Sequence, residues 1–185
     1  MNDIYLIKKI NNFFLQNIRT QLAIIVSGLE LLDFEQEFIE VKDSINFSSF
    51  LIDSYDILLS ILLDTTERGS KEVNEDLIVV EDKLSKIIDI FNGFKSNNVK
   101  ILLKIKDKCE VRCNTLIFKN FITVVLAESI KLVSEKLVVE VNDKSIFIYL
   151  NAEDFPQILL EINKLMEKYG ILLYKAKSYI EVRFK

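Results

Sequence analysis

The chain has 185 residues, half of them hydrophobic, with four Gly, one Pro and no His. That length suits one domain of fair size or two small ones, and so few helix breakers exclude a disordered or loop-dominated protein. A formal net charge of −4, with no extended Lys/Arg cluster, excludes nucleic acid as the expected partner.

Met1-Asn2-Asp3 opens onto an amphipathic stretch and not onto an uninterrupted apolar run, so no secretory start is expected. The longest apolar runs are broken by Arg19, Ser27, Asp56 and Ser60, and no membrane-spanning helix is expected. The expected location is cytoplasmic. Cys109 and Cys113 stand too close to frame a disulfide scaffold. Without His or further Cys they complete no zinc site, so two reduced, semi-buried thiols and no metal are expected.

Residues 1–68 carry helical periodicity nearly throughout. The first helix is expected from Ile4 to Leu32, on the stripe Phe14, Ile18, Leu22, Ile25, Leu29, Leu32. Asp33-Phe34-Glu35-Gln36 reads as a short connection. The second helix is expected from Glu37 to Arg68, on Phe38, Val41, Ile45, Ser48, Ile52, Tyr55, Leu59 and Leu62. At ~1.5 Å per residue each would run about 45 Å, and the short connection makes the pair an antiparallel hairpin. Ile24, Val26 and Leu31 lie off the first stripe, and Phe47, Phe50, Leu51, Leu58 and Leu63 off the second. That excess needs cover. The expectation is a second copy, forming a four-helix bundle about a two-fold axis. The alternative is that the C-terminal half covers it.

Gly69-Ser70-Lys71 is the expected hinge, dividing the chain into 1–68 and 75–185. After it the pattern changes. Leu77–Val80 reads as a strand, Glu81–Phe94 as a helix and Val99–Ile105 as a strand. Asn114 is an N-cap for a helix reaching about Val133. Leu137–Val141 and Ser145–Leu150 flank the turn Asn142-Asp143-Lys144. Glu153–Tyr169 reads as a helix closed by Gly170. Ile171–Ala176 and Tyr179–Phe184 form a last hairpin. The expected fold class is α+β: a long helical hairpin, then a small sandwich with helices on one face of a mixed sheet.

Gln16-Asn17-Ile18-Arg19-Thr20-Gln21-Leu22, followed by Ile24, Ile25 and Gly28, resembles the phosphoacceptor helix of sensor histidine kinases, His-Glu-x-Arg-Thr-Pro-Leu. Ile25-Val26-Ser27-Gly28-Leu29-Glu30-Leu31-Leu32 is similar to a segment of the bacterial histidine phosphotransferases of the ChpT type. Ser48-Ser49 and the helix, Gly and hairpin of residues 153–185 are also similar to that family. The resemblance spans nearly the whole chain, but only residues 25–32 are specific to it. It implies a homodimeric helical bundle carrying a degenerate ATPase-like domain.

In this register the phosphoacceptor falls on Gln16, its acidic neighbour on Asn17 and the proline on Gln21. A Gln amide is not nucleophilic and an Asn is no general base, so the site should be chemically dead. The Asn that kinases place on the helix of residues 121–131 falls on Glu128, and no Asp-x-Gly-x-Gly segment cradles phosphate. No cofactor is expected, and no enzymatic activity. The resemblance implies docking of a response-regulator receiver domain on Gln16, Arg19, Thr20, Ala23 and Ser27. Two rivals stand beside it: phosphotransfer through a non-histidine or partner-supplied acceptor, and a purely structural dimer. Glu35, Glu37 and Glu40 read as a solvated helix start and not as a metal site. Lys8-Lys9 beside Phe13-Phe14 reads as an ordinary outer face and not as a membrane anchor. Tyr169, Tyr174 and Tyr179 read as sheet-face residues.

Overall fold

The computed structural model describes residues 3–31, 38–68, 74–94 and 98–185. The expected connection Asp33–Gln36 and hinge Gly69-Ser70-Lys71 lie outside those residues. Two long helices open the chain, α1 (Asp3–Leu31) and α2 (Phe38–Arg68). Phe14 stacks edge-on against Tyr55, whereas Gly28 lies against Val41 and Ile45. The two contacts run in opposite senses along the helices, so the hairpin is antiparallel, as expected.

The second half follows as β1 (Asp76–Val79), α3 (Val80–Gly93), β2 (Lys100–Ile105), β3 (Glu110–Cys113), α4 (Thr115–Ile130), β4 (Lys136–Asn142) and β5 (Ser145–Tyr149). Then come α5 (Gln157–Glu161), α6 (Asn163–Met166), a 3₁₀ turn (Glu167–Tyr169), β6 (Ile171–Lys175) and β7 (Tyr179–Phe184). Five strands form a mixed sheet in the order β2-β4-β5-β7-β6, with only β2 and β4 parallel. β1 and β3 form a separate antiparallel pair. The fold class is the expected α+β.

Alternation decides which face of the sheet is buried. Ile101, Leu137, Ile148 and Ile180 are buried, as are Val141, Ile146, Val182 and Leu173 across a neighbouring row. The helices cover that face. α4 is apolar almost all round, and Ile117 to Ser129 is buried apart from Lys119. A helix of that kind sits between two layers. Here the layers are the sheet, where Phe118 lies against Phe184 of β7, and α2 on the other side. Asn114 caps α4: its Oδ1 accepts the Leu116 and Ile117 amides at 3.0 Å each.

Several expectations are corrected. The strand Glu110–Cys113 was not foreseen; four residues alternate too briefly to signal one. α4 stops at Ile130 and not near Val133. The single helix expected over Glu153–Tyr169 begins at Gln157, after the lone Pro156, and breaks at Ile162. Next to the break, the side chain of Asn163, the first residue of α6, bonds both the amide and the carbonyl of Leu173. Tyr169 is therefore buried in the 3₁₀ turn and not on the sheet. Cys109 and Cys113 are fully buried, not semi-buried. Ile39–Asp64 is long and apolar enough, by length and composition, to cross a membrane. Its Leu51, Tyr55, Leu58, Leu59 and Leu62 lie in the core of this fold.

The apolar excess of the hairpin divides along its length. The sandwich covers one end: Leu51 and Leu58 are buried, and Phe47 and Phe50 stack on Phe91 at 5.5 and 6.0 Å. To that extent the cover comes from the same chain. At the other end Leu22 is 47 % exposed, Val26 and Leu29 54 % and Ile39 70 %. Leu22 and Leu29, expected on the core-facing stripe, stay about half exposed among the described residues.

Candidate functional site

Asn17 still reaches Lys131 at the end of α4; past it, α1 runs on along α2. Positions 16, 20, 23 and 27 recur at helical spacing, so Gln16, Thr20, Ala23 and Ser27 share one row. All four are exposed. Close by, Gly28 is buried at the helix crossing. A Cβ built there would lie 3.1 Å from Ile45 Cγ1 and 3.3 Å from Val41 Cγ1. The missing side chain lets α2 approach, and the two helices enclose an open groove of about 500 Å³. Thr20, Ala23, Ile24, Ser27 and Gly28 form one wall, and Glu40, Val41 and Ser44 the other.

Thus Thr20, Ala23 and Ser27 of the expected set line one groove. Gln16 lies one turn before Thr20 on the same row, and its carbonyl accepts the Thr20 hydroxyl at 3.0 Å. Arg19 flanks the row, exposed, with no ion pair or hydrogen bond among the described residues. Sequence reasoning missed the α2 wall. From the sequence, Ile24 reads as apolar surface off the first stripe, Gly28 as a small residue that permits close helix approach and Glu40 as part of a solvated helix start.

Asn17 turns the other way. Its Nδ2 donates to the Phe13 carbonyl at 3.0 Å, and its Oδ1 accepts from Lys131 Nζ at 2.8 Å. Lys131 also donates to Glu128 Oε1 at 2.7 Å, and the Tyr55 hydroxyl donates to the same oxygen. Four residues from α1, α2, α4 and the end of α4 thus form one polar chain. Burial first, then the Glu128 carboxylate, holds the Tyr55 phenol above its usual range. Gln21, expected at the position of the kinase proline, is buried.

The groove presents the hydroxyls of Thr20, Ser27 and Ser44 and the carboxylate of Glu40, and no imidazole. Gln16 and Asn17 present amides, and Asn17 is engaged by Lys131. Glu128, where a kinase places an Asn, is committed to Tyr55 and Lys131. The two thiols are buried; burial raises Cys109, and burial with Glu75 and Asp76 pushes Cys113 up to about 12. Among the described residues no group of three His, Cys, Asp or Glu converges as a metal site. Glu40 stands exposed on the groove wall; Glu35 and Glu37 lie outside the described residues.

No protein-family model and no curated protein sequence matches the chain. Solved structures do match its fold. The cytoplasmic segment of the histidine kinase QseC superposes with a TM-score of 0.58 at 15 % identity, over 75 % of this chain and 93 % of that one. The Acinetobacter baumannii histidine kinase AdeS gives 0.54 at 13 %, over 90 % and 95 %. The histidine kinase ThkA, in complex with the response regulator protein TrrA, gives 0.51 at 11 %, over 98 % of this chain and 62 % of that one. The chain has the histidine-kinase fold, a helical hairpin joined to an ATPase-like sheet domain.

Proposed function

We propose that this protein is a docking module of two-component signalling, a degenerate relative of the ChpT-type phosphotransferases. It binds response-regulator receiver domains at the hairpin and passes no phosphate. The carrying observation is the groove: three of the five residues expected to dock a receiver line it, one turn below Gln16, where a phosphoacceptor would stand. The structure of ThkA with a response regulator supports the partner class. The absence of any His supports a binding role over transfer.

In this reading the receiver packs against Gln16, Thr20, Ala23 and Ser27, and the small residues permit close approach. Unpaired Arg19 meets the acidic phosphorylation pocket of the receiver, a charge-assisted contact. Residues 1–68 act as the docking and dimerisation unit, and residues 75–185 as a degenerate ATPase-like domain without nucleotide. Exposed Leu15, Leu22, Val26 and Leu29 recur on one side of α1 and form the seam of a cytoplasmic homodimer.

Receiver domains from the same genome, titrated against the native protein and against Arg19→Glu, test the proposal. The expected result is one receiver binding with a Kd near micromolar (about −8 kcal/mol), weakened at least about tenfold by Arg19→Glu. Binding that Arg19→Glu leaves unchanged contradicts the docking geometry. A tight dimer that binds none of the receivers supports the structural-dimer alternative.

A further inference from the structure

A second concavity lies far along the fold from the hairpin groove, between α3 and α4. Lys83, Lys86, Ile87 and Ile90 recur at helical spacing on α3, and Thr115, Phe118 and Lys119 on α4. Their facing sides enclose about 200 Å³. The floor is apolar: Phe118 and Ile87 are buried, and Ile90 lies at the mouth. The one hydroxyl on the lining is committed, since Thr115 Oγ1 donates to Asp76 at 2.8 Å. The rim is basic. Lys86 and Lys119 are exposed and Lys83 half-buried, and among the described residues none of the three makes an ion pair. In a chain of net charge −4, three cations without an ion pair gather around one apolar slot, with the Asp76 carboxylate against its Thr115 wall.

Size and chemistry together restrict the occupant. An apolar cavity of about 150 Å³ engineered in another protein holds benzene, so this slot admits one ring or a short chain but not a helix. An inorganic anion alone would gain nothing from the apolar floor, and a neutral apolar molecule nothing from the lysines. Sites for small ligands pair an apolar lining with a few placed polar groups. We propose that the α3–α4 slot binds a small amphiphilic carboxylate. Its ring or short chain rests on Ile90 and the edge of Ile87, above the buried Phe118, and its carboxylate is met by Lys83, Lys86 and Lys119. The site is separate from the receiver groove and from Glu128, which lies more than two helical turns beyond Lys119 on α4.

Phenylacetate is the probe, with phenylacetamide as its uncharged isostere and acetate as its headgroup alone. The full chain is titrated with each to roughly millimolar concentration while the methyl resonances of Ile87 and Ile90 are followed. Phenylacetate is expected to shift both methyls and to bind about tenfold more tightly than phenylacetamide, with acetate a weaker ligand still. Lys86→Glu combined with Lys119→Glu, both exposed and tolerable to the fold, should remove that preference. Lys168→Glu, an exposed lysine elsewhere, should not. The proposal is overturned if phenylacetate leaves the two methyls unmoved or if phenylacetamide binds equally. It is also overturned if acetate competes as well as phenylacetate, since that result describes a lysine patch and no slot.

Discussion

Glu128 shows how one side chain can be legible as a departure and illegible as a role. Its mismatch with the kinase Asn can be read from sequence; its partners cannot. Tyr55 lies 73 residues away and Asn17 is tied in through Lys131, 114 residues from it. Only the fold brings them together. Tyr55→Phe leaves a buried carboxylate with one donor fewer, so it should destabilise the protein by about 1–3 kcal/mol in urea unfolding. Alkaline pH reports on the same core. Tyr55 and Cys113 both hold their protons more tightly when folded than when unfolded. Their contribution is intact below about pH 9, the usual thiol value, and is lost as pH rises toward 12. The urea midpoint should fall across that window, and Cys113→Ala should flatten the fall. An unchanged slope would place the alkaline loss elsewhere.

Elements were legible where their periodicity ran long. α1 and α2 depart from expectation by a residue at most, because five or more turns of stripe outweigh any single position. Short elements were not: β3 has four residues, and α5 and α6 are separated by a break that depends on Asn163 reaching β6. The lone proline was a signal for the start of α5, since its fixed φ suits a helix entrance and not the middle of one. Asn114 was legible because a cap is a local device. Asn114→Ala should cost about 1 kcal/mol of stability, measured by the same urea titration, and Asn114→Ser much less. Equal losses for both would mean that the contact of Asn114 with the Asn74 carbonyl matters more than the cap.

At the scale of the whole molecule, the α1 residues that line the proposed docking groove are named by the sequence, whereas the α2 residues facing them are not. Glu40, Val41 and Ser44 become neighbours of Thr20 and Ser27 only because the helices cross closely at Gly28. The balance between cover by the sandwich and cover by a second copy also required the fold. The sandwich takes Leu51 and Leu58; Leu22, Val26 and Leu29 remain exposed. Val26→Lys places a charge in the seam of the proposed dimer and should shift sedimentation equilibrium toward the monomer without unfolding the chain. A monomeric native protein would remove the homodimer from the account.

In the proposed function the hairpin keeps a receiver-docking surface and has lost only the chemistry. A receiver carrying labelled aspartyl phosphate tests it, mixed in parallel with the native protein and with Gln16→His, and followed by where the label goes. The account predicts label on Gln16→His and none on the native chain, because a nucleophilic imidazole is then the one part missing. Label on the native chain would contradict it and reveal a non-histidine acceptor. Label on neither, with no receiver bound, would contradict the docking surface itself.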